Sequence, residues 1–154
     1  MIEVGQNAPQ FVGKDQLQRD VSLESLKGGW VALYFYPKDD TPGCTKEACN
    51  FRDNYGAIQA AGATVIGVSG DSQASHEKFV AKYELPFTLL VDSDRAIAKA
   101  FGAWGIKKNY GKEYEGIIRS TLIIDPRGKV SKVWPRVKPD AHGAEVLAWL
   151  TANT

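Results

Sequence analysis

Apolar residues follow two rhythms along this chain. Short continuous runs rich in β-branched and aromatic residues occur at Trp30–Tyr36, Ala63–Ser69, Phe87–Val91, Ile117–Ile124 and Lys129–Trp134. Each is bounded by Gly, Pro or Asp, and each predicts a strand. Between the first two runs the rhythm changes. From about Thr45 to Ala61, Ala48, Phe51, Tyr55 and Ile58 recur at three- and four-residue spacing, which predicts an amphipathic helix. A second helix is expected after Asp71 or Ser72, both good N-caps, carrying Phe79, Val80 and Tyr83. The stretch DRAIAKAFG at 94–102 predicts a short third helix ended by Gly102, and AEVLAWLTAN at 144–153 predicts a last one. DPRG at 125–128 lies between two strand-like runs and predicts a hairpin turn.

Strands that alternate with helices and then close on an antiparallel pair indicate an α/β fold. The expected architecture is a mixed central β-sheet flanked by helices on both faces, an order that suits a thioredoxin-like fold. No repeat, low-complexity tract or linker interrupts the chain, so residues 1–154 are expected to form a single domain.

Composition narrows the function classes. With 44% hydrophobic and 24% charged residues the chain is an ordinary globular sequence, neither disordered nor collagen-like. A net charge of +1 provides no field to steer it toward nucleic acid or an anionic membrane, and neither is expected as a partner. KKNYGKEYEG at 107–116 is basic and aromatic, but given the charge balance it is expected to be a mobile solvated loop. His76 and His142 are likewise expected to be solvated. Residues 1–20 lack a basic start followed by an apolar stretch, and runs such as WVALYFY at 30–36 are too short to span a bilayer, so a cytoplasmic location is the expectation. In that compartment a cysteine pair is more often catalytic, redox-sensing or metal-binding than a structural staple.

The chain has two cysteines, and both fall in PKDDTPGCTKEAC at 37–49. This stretch follows the first buried strand and opens a helix, where α/β sheets place their sites. Thr41 can cap that helix and Pro42 suits its first turn, with Gly43 and Cys44 next. Unpaired N–H groups and the positive end of the helix dipole then point toward the Cys44 sulfur and favour thiolate, which makes Cys44 the expected nucleophile. Cys49 falls in mid-helix. Five residues of regular helix separate the two Cα atoms by roughly 8.7 Å, beyond the roughly 6.8 Å that a disulfide tolerates. A Cys44–Cys49 bond therefore requires the first turns to unwind.

The pattern Pro37-x-x-x-Thr41-x-x-Cys44 resembles the active-site motif of the peroxiredoxins. The spacing from Cys44 to Cys49 is similar to that of the bacterioferritin comigratory protein, or peroxiredoxin Q, branch. The likeness extends through YFYPKDDTPGCTKEACNFRD, YGKEYEGIIRSTLIIDPRGK and the C-terminal VLAWL in family order. It implies a thiol-dependent peroxidase that needs no cofactor and no metal and acts on hydrogen peroxide and organic hydroperoxides. By this resemblance Cys44 attacks the peroxide and becomes a sulfenic acid, and Cys49 resolves it as an intramolecular disulfide. A thioredoxin-type dithiol recycles the pair. Arg119, in IIRST, would stabilise the thiolate and hold the peroxide oxygens, Thr41 would orient the peroxide, and Pro37 would shield the site. Glu47, three residues after Cys44 on the same helix face, would orient Arg119 by an ion pair and be largely neutralised by it. An intramolecular resolving cysteine needs no partner subunit, so a monomer is expected.

Rival readings have specific counter-signals. A zinc site would need ligands that two cysteines and two distant histidines do not supply at zinc spacing. A protein thiol–disulfide oxidoreductase is disfavoured by the absence of C-x-x-C. A redox sensor would share the disulfide but would not need rapid recycling. Trp30, Phe35, Trp134 and Trp149 are expected in the core or at its edge.

Overall fold

The longest apolar run, Trp30–Phe35, forms the strand from which the rest of the fold is built. In the computed structural model, which describes residues 1–154, the strands are β1 (Val12–Asp15), β2 (Asp20–Ser22), β3 (Trp30–Phe35), β4 (Ala63–Ser69), β5 (Thr88–Val91), β6 (Trp104–Asn109), β7 (Lys112–Ile117), β8 (Ser120–Ile124) and β9 (Val130–Trp134). The helices are α1 (Leu23–Leu26), α2 (Pro42–Ala60), α3 (Gln73–Tyr83), α4 (Ala96–Ala100) and α5 (His142–Asn153), the last preceded by a 3-10 turn at Pro139–Ala141. Seven strands form one sheet in the order β2-β1-β5-β4-β3-β8-β9, and β6 and β7 form a separate ribbon. The β5-β4-β3 centre is parallel and both flanks are antiparallel, giving the expected mixed sheet. No helix is long and apolar enough to cross a membrane.

Period-two alternation on β3 divides the core into two layers. Val31, Leu33 and Phe35 face a layer with Phe11, Ile97 and Phe101. Ala32, Tyr34 and the following Tyr36 face another with Cys44, Phe51, Phe79 and Leu150. Each fully buried large apolar side chain stabilises the fold by about 1.5–3 kcal/mol. The nucleophile candidate thus belongs to the layer between the sheet and α2, α3 and α5.

Several local expectations change. The run at 117–124 is two strands, because Ile118 and Arg119 leave the ladder: Ile118 N–H donates to Ala103 O (2.8 Å) and Val137 N–H to Arg119 O (3.0 Å). The stretch at 107–116 is a β-ribbon rather than a loop, with Lys107 opposite Tyr114 and the bend at Tyr110 and Gly111, both at positive φ. Its strands are mostly exposed on both faces, so no buried stripe marked them in the sequence. The β1–β2 hairpin was also not foreseen. Its turn is built by Asp15, whose Oδ1 accepts the N–H groups of Leu17 (2.8 Å) and Arg19 (2.9 Å). DPRG does form the β8–β9 turn, with Asp125 Oδ1 accepting from Arg127 and Lys129, both at 2.9 Å. Neither histidine is solvated; His76 on α3 and His142 at the start of α5 are both fully buried.

Candidate active site

The thiol, the guanidinium and a carboxylate meet where the end of β3, the start of α2 and the break before β8 converge. Thr41 occupies the N-cap position of α2 in extended conformation, and its carbonyl accepts Thr45 N–H at 2.8 Å. Its side chain does not cap the helix; the hydroxyl donates instead to Lys38 O at 2.9 Å. Pro42 opens the helix, and the N–H groups of Gly43 and Cys44 have no upstream carbonyl within it. Cys44 is buried in this first turn, Cys49 is half-buried in mid-helix, and both are free thiols.

Arg119 reaches this turn from the two-residue connection between β7 and β8. Its Nη2 donates to Cys44 Sγ at 3.2 Å and its Nη1 to Glu47 Oε1 at 2.7 Å, so one guanidinium bridges both groups. A Cβ on Gly43 would lie 3.2 Å from Arg119 Nη2 and 3.6 Å from Pro139 Cγ, so glycine leaves room for this approach. Pro37, Lys107, Ile118, Arg119, Arg136 and Val137 line an adjoining recess of about 220 Å³. A larger one of about 460 Å³, beside α3, is lined by neither Cys44 nor Arg119.

Glu47 is fully buried and its Oε2 has no hydrogen-bond partner. Burial raises its pKa to about 7 from the ordinary 4.5, against the opposing pull of Arg119. The ion pair expected from the sequence is therefore present in geometry, with desolvation outweighing it. Tyr34 is the other buried side chain with an unpartnered polar atom, and burial, then Glu47, then Cys44 push its phenol well above the usual range.

A second polar cluster, unforeseen from the sequence, holds the loop that leads into α2. Asp39 accepts from Tyr36 Oη (2.5 Å) and Ser75 Oγ (2.8 Å), and its Oδ2 lies 2.6 Å from His76 Nδ1. His76 Nε2 faces Leu90 O at 2.8 Å. Asp71 Oδ2 accepts Asp39 N–H (2.8 Å) and Ser69 Oγ–H (2.6 Å). Asp40 adds Lys82 Nζ (2.7 Å) and Tyr83 Oη (2.6 Å). Asp39 stood inside the stretch singled out from the sequence, but nothing in the spacing linked it to a histidine on another helix.

A buried cysteine in the first turn of α2 thus lies within hydrogen-bond reach of an arginine held just before the strand next to β3. A profile of the AhpC/TSA family matches residues 4–133. The chain belongs to that family. Peroxiredoxin Bcp of Bacillus subtilis is 51% identical over 149 residues, covering 97% of this chain and 95% of the relative. A peroxiredoxin Q variant of Xylella fastidiosa superposes with a TM-score of 0.93 at 35% identity, covering 99% of this chain and 97% of that one. The bacterioferritin comigratory protein of Xanthomonas campestris, studied for alkyl peroxide reduction, gives 0.88 at 39% identity, covering 92% and 90%. Within the family this chain falls in the Bcp and peroxiredoxin Q group, and as a peroxiredoxin it is a thiol-dependent peroxidase with the thioredoxin-like fold.

Proposed function

We propose that Cys44 is the peroxidatic residue and Cys49 the resolving one. The Cys44 sulfur attacks the terminal oxygen of a hydroperoxide; an S–O bond forms, the O–O bond breaks, and the alcohol or water leaves after taking up a proton. The resulting sulfenic acid is attacked by the Cys49 thiol, an S–S bond forms and water leaves. A dithiol donor of the thioredoxin type then reduces the disulfide and is itself oxidised. The single observation that carries this reading is the buried Cys44 Sγ, in the first turn of α2 and 3.2 Å from Arg119 Nη2. Arg119 stabilises the thiolate and the charge that develops on the peroxide oxygens. Glu47 fixes the guanidinium, and Gly43 leaves room for it. Thr41 is half-buried beside the thiol turn, and its hydroxyl is suited to orient the peroxide. Pro37 shields the recess through which the peroxide arrives.

Both thiols lie on the continuous helix Pro42–Ala60, so resolution needs its first turns to open. An intramolecular pair works in a monomer, and the reducing cytoplasm supplies dithiol donors. The test is Cys49→Ser mixed with hydrogen peroxide in stopped flow, followed by mass measurement. One equivalent of peroxide should be reduced at the wild-type rate, leaving a sulfenic acid that does not turn over. Full multi-turnover activity of this variant with thioredoxin would remove Cys49 from the mechanism.

A further inference from the structure

Helix α5 starts without a side-chain cap of its own, since Ala141 at its N-cap position offers no oxygen. Asn50 of α2 supplies one from across the interface: its Oδ1 accepts Ala144 N–H at 2.9 Å. At the same level the two backbones touch. A Cβ on Gly143 would lie 2.6 Å from Asn50 C and 2.7 Å from both Asn50 O and Phe51 N, distances that no side chain tolerates against backbone. The neighbouring His142 stands edge-on to Phe51, with ring centroids 5.6 Å apart at 90°, while its Nε2 meets Thr121 Oγ1 at 2.7 Å. Three consecutive residues at the head of α5 therefore bear on Asn50 and Phe51, the two residues immediately after Cys49.

The turns before Asn50 are held differently. The side chains of Cys44 and Glu47 are buried but hydrogen-bonded only to Arg119, and Lys46 reaches Asp140 at 3.8 Å across exposed surface. Such an exposed pair adds little. Conversion of the thiolate to a neutral sulfenic acid weakens the Arg119 contact at the moment opening is required. Upstream, Asp39 and Asp40 fasten the preceding loop to α3.

We propose that Asn50 and Gly143 form a clamp that stops the unwinding of α2 at Asn50, so that Pro42–Cys49 opens while the rest of the helix stays folded. Cys49 is then the last residue free to move, which keeps it close to Cys44 throughout. The inference rests on Cys49 being the resolving residue, and it makes Asn50 and Gly143 positioning residues for that step.

The test is residue-resolved hydrogen exchange on the full chain, reduced and peroxide-oxidised, with mass recorded. In the wild type, the amides of Lys46–Asp53, whose i−4 carbonyls belong to Pro42–Cys49, should exchange faster than those from Asn54 onward, and oxidation should remove protection only as far as Asp53. Asn50→Ala and Gly143→Ala should carry the loss past Asp53. They should also speed disulfide formation by about three- to tenfold, the size expected when a helix cap is lost, without changing the first oxidation rate. Asn50→Asp keeps an acceptor for Ala144 N–H and should restore the wild-type boundary. Unwinding beyond Asn54 in the oxidised wild type, or an unmoved boundary in both alanine variants, would overturn the clamp. The reduced-state boundary needs no disulfide. An exchange boundary at Asn54 without loss of two hydrogens on oxidation would sink the resolving role of Cys49 and leave the clamp standing.

Discussion

Two buried polar clusters flank the loop from Pro37 to Thr41, and they are satisfied to different degrees. Around Asp39, the buried atoms of His76, Tyr36 and Ser69 all have hydrogen-bond partners. In the layer that holds Cys44, Glu47 Oε2 and Tyr34 Oη have none. A buried unpaired group costs about 1–3 kcal/mol, so the layer with the thiol gives up stability that the Asp39 cluster retains. The difference separates their tasks: a closed network fixes a loop in one position, whereas an open one leaves beside a permanently charged guanidinium a carboxyl whose charge state can respond to the reaction next to it.

The comparison fails if the Asp39 cluster proves expendable. Asp39→Ala should show the largest effect in the molecule, because it leaves His76, Tyr36 and Ser75 without their common acceptor. Each buried partner left unpaired costs about 1–3 kcal/mol, measurable by urea denaturation. The first oxidation rate of the folded variant should stay within about threefold of wild type, a change worth less than about 1 kcal/mol. A rate that collapses with the stability would show that this network also places the thiol.

Glu47 offers a graded test. With a folded pKa of about 7 against the ordinary 4.5, the folded protein keeps a proton that the unfolded chain releases between these values. Stability is therefore lost as pH rises through this window, and the loss is complete above about pH 7. Glu47→Gln removes the titration. Its stability relative to wild type should climb from near zero below pH 4.5 to about 3 kcal/mol at pH 8, following about 1.4 kcal/mol for each pKa unit. A difference that does not vary with pH would mean that burial does not govern this carboxyl.

The same contrast explains what could be read from sequence. The strands at Trp30, Ala63 and Ser120 and the helix α2 announce themselves because burial on one or both faces imposes a period on the residues. Cys44, Glu47 and Arg119 were legible because a compact motif carries the first two and IIRST the third. Partners joined by tertiary structure were not. Nothing local marks His76 as lying under Asp39, or His142 as wedged between Phe51 and Trp134. The ribbon at Trp104–Ile117 escaped for the opposite reason: with little burial on either face, it has no pattern to display.

Arg119→Met sharpens the comparison from the side of chemistry. The substitution keeps an apolar stem of similar reach while removing the donor to Cys44 Sγ and to Glu47 Oε1. Loss of a preorganised donor at developing charge lowers rates by about a hundredfold or more, so the second-order rate of the first oxidation should fall by about that factor. At pH 6, where Glu47 is mostly protonated in the folded protein, the change in stability should be smaller than for Asp39→Ala. Stopped-flow oxidation and urea denaturation on the same preparations separate the two. If the rate is unchanged, Arg119 is a structural arginine at a strand break, and the open network around Cys44 must owe its reactivity to the helix terminus alone.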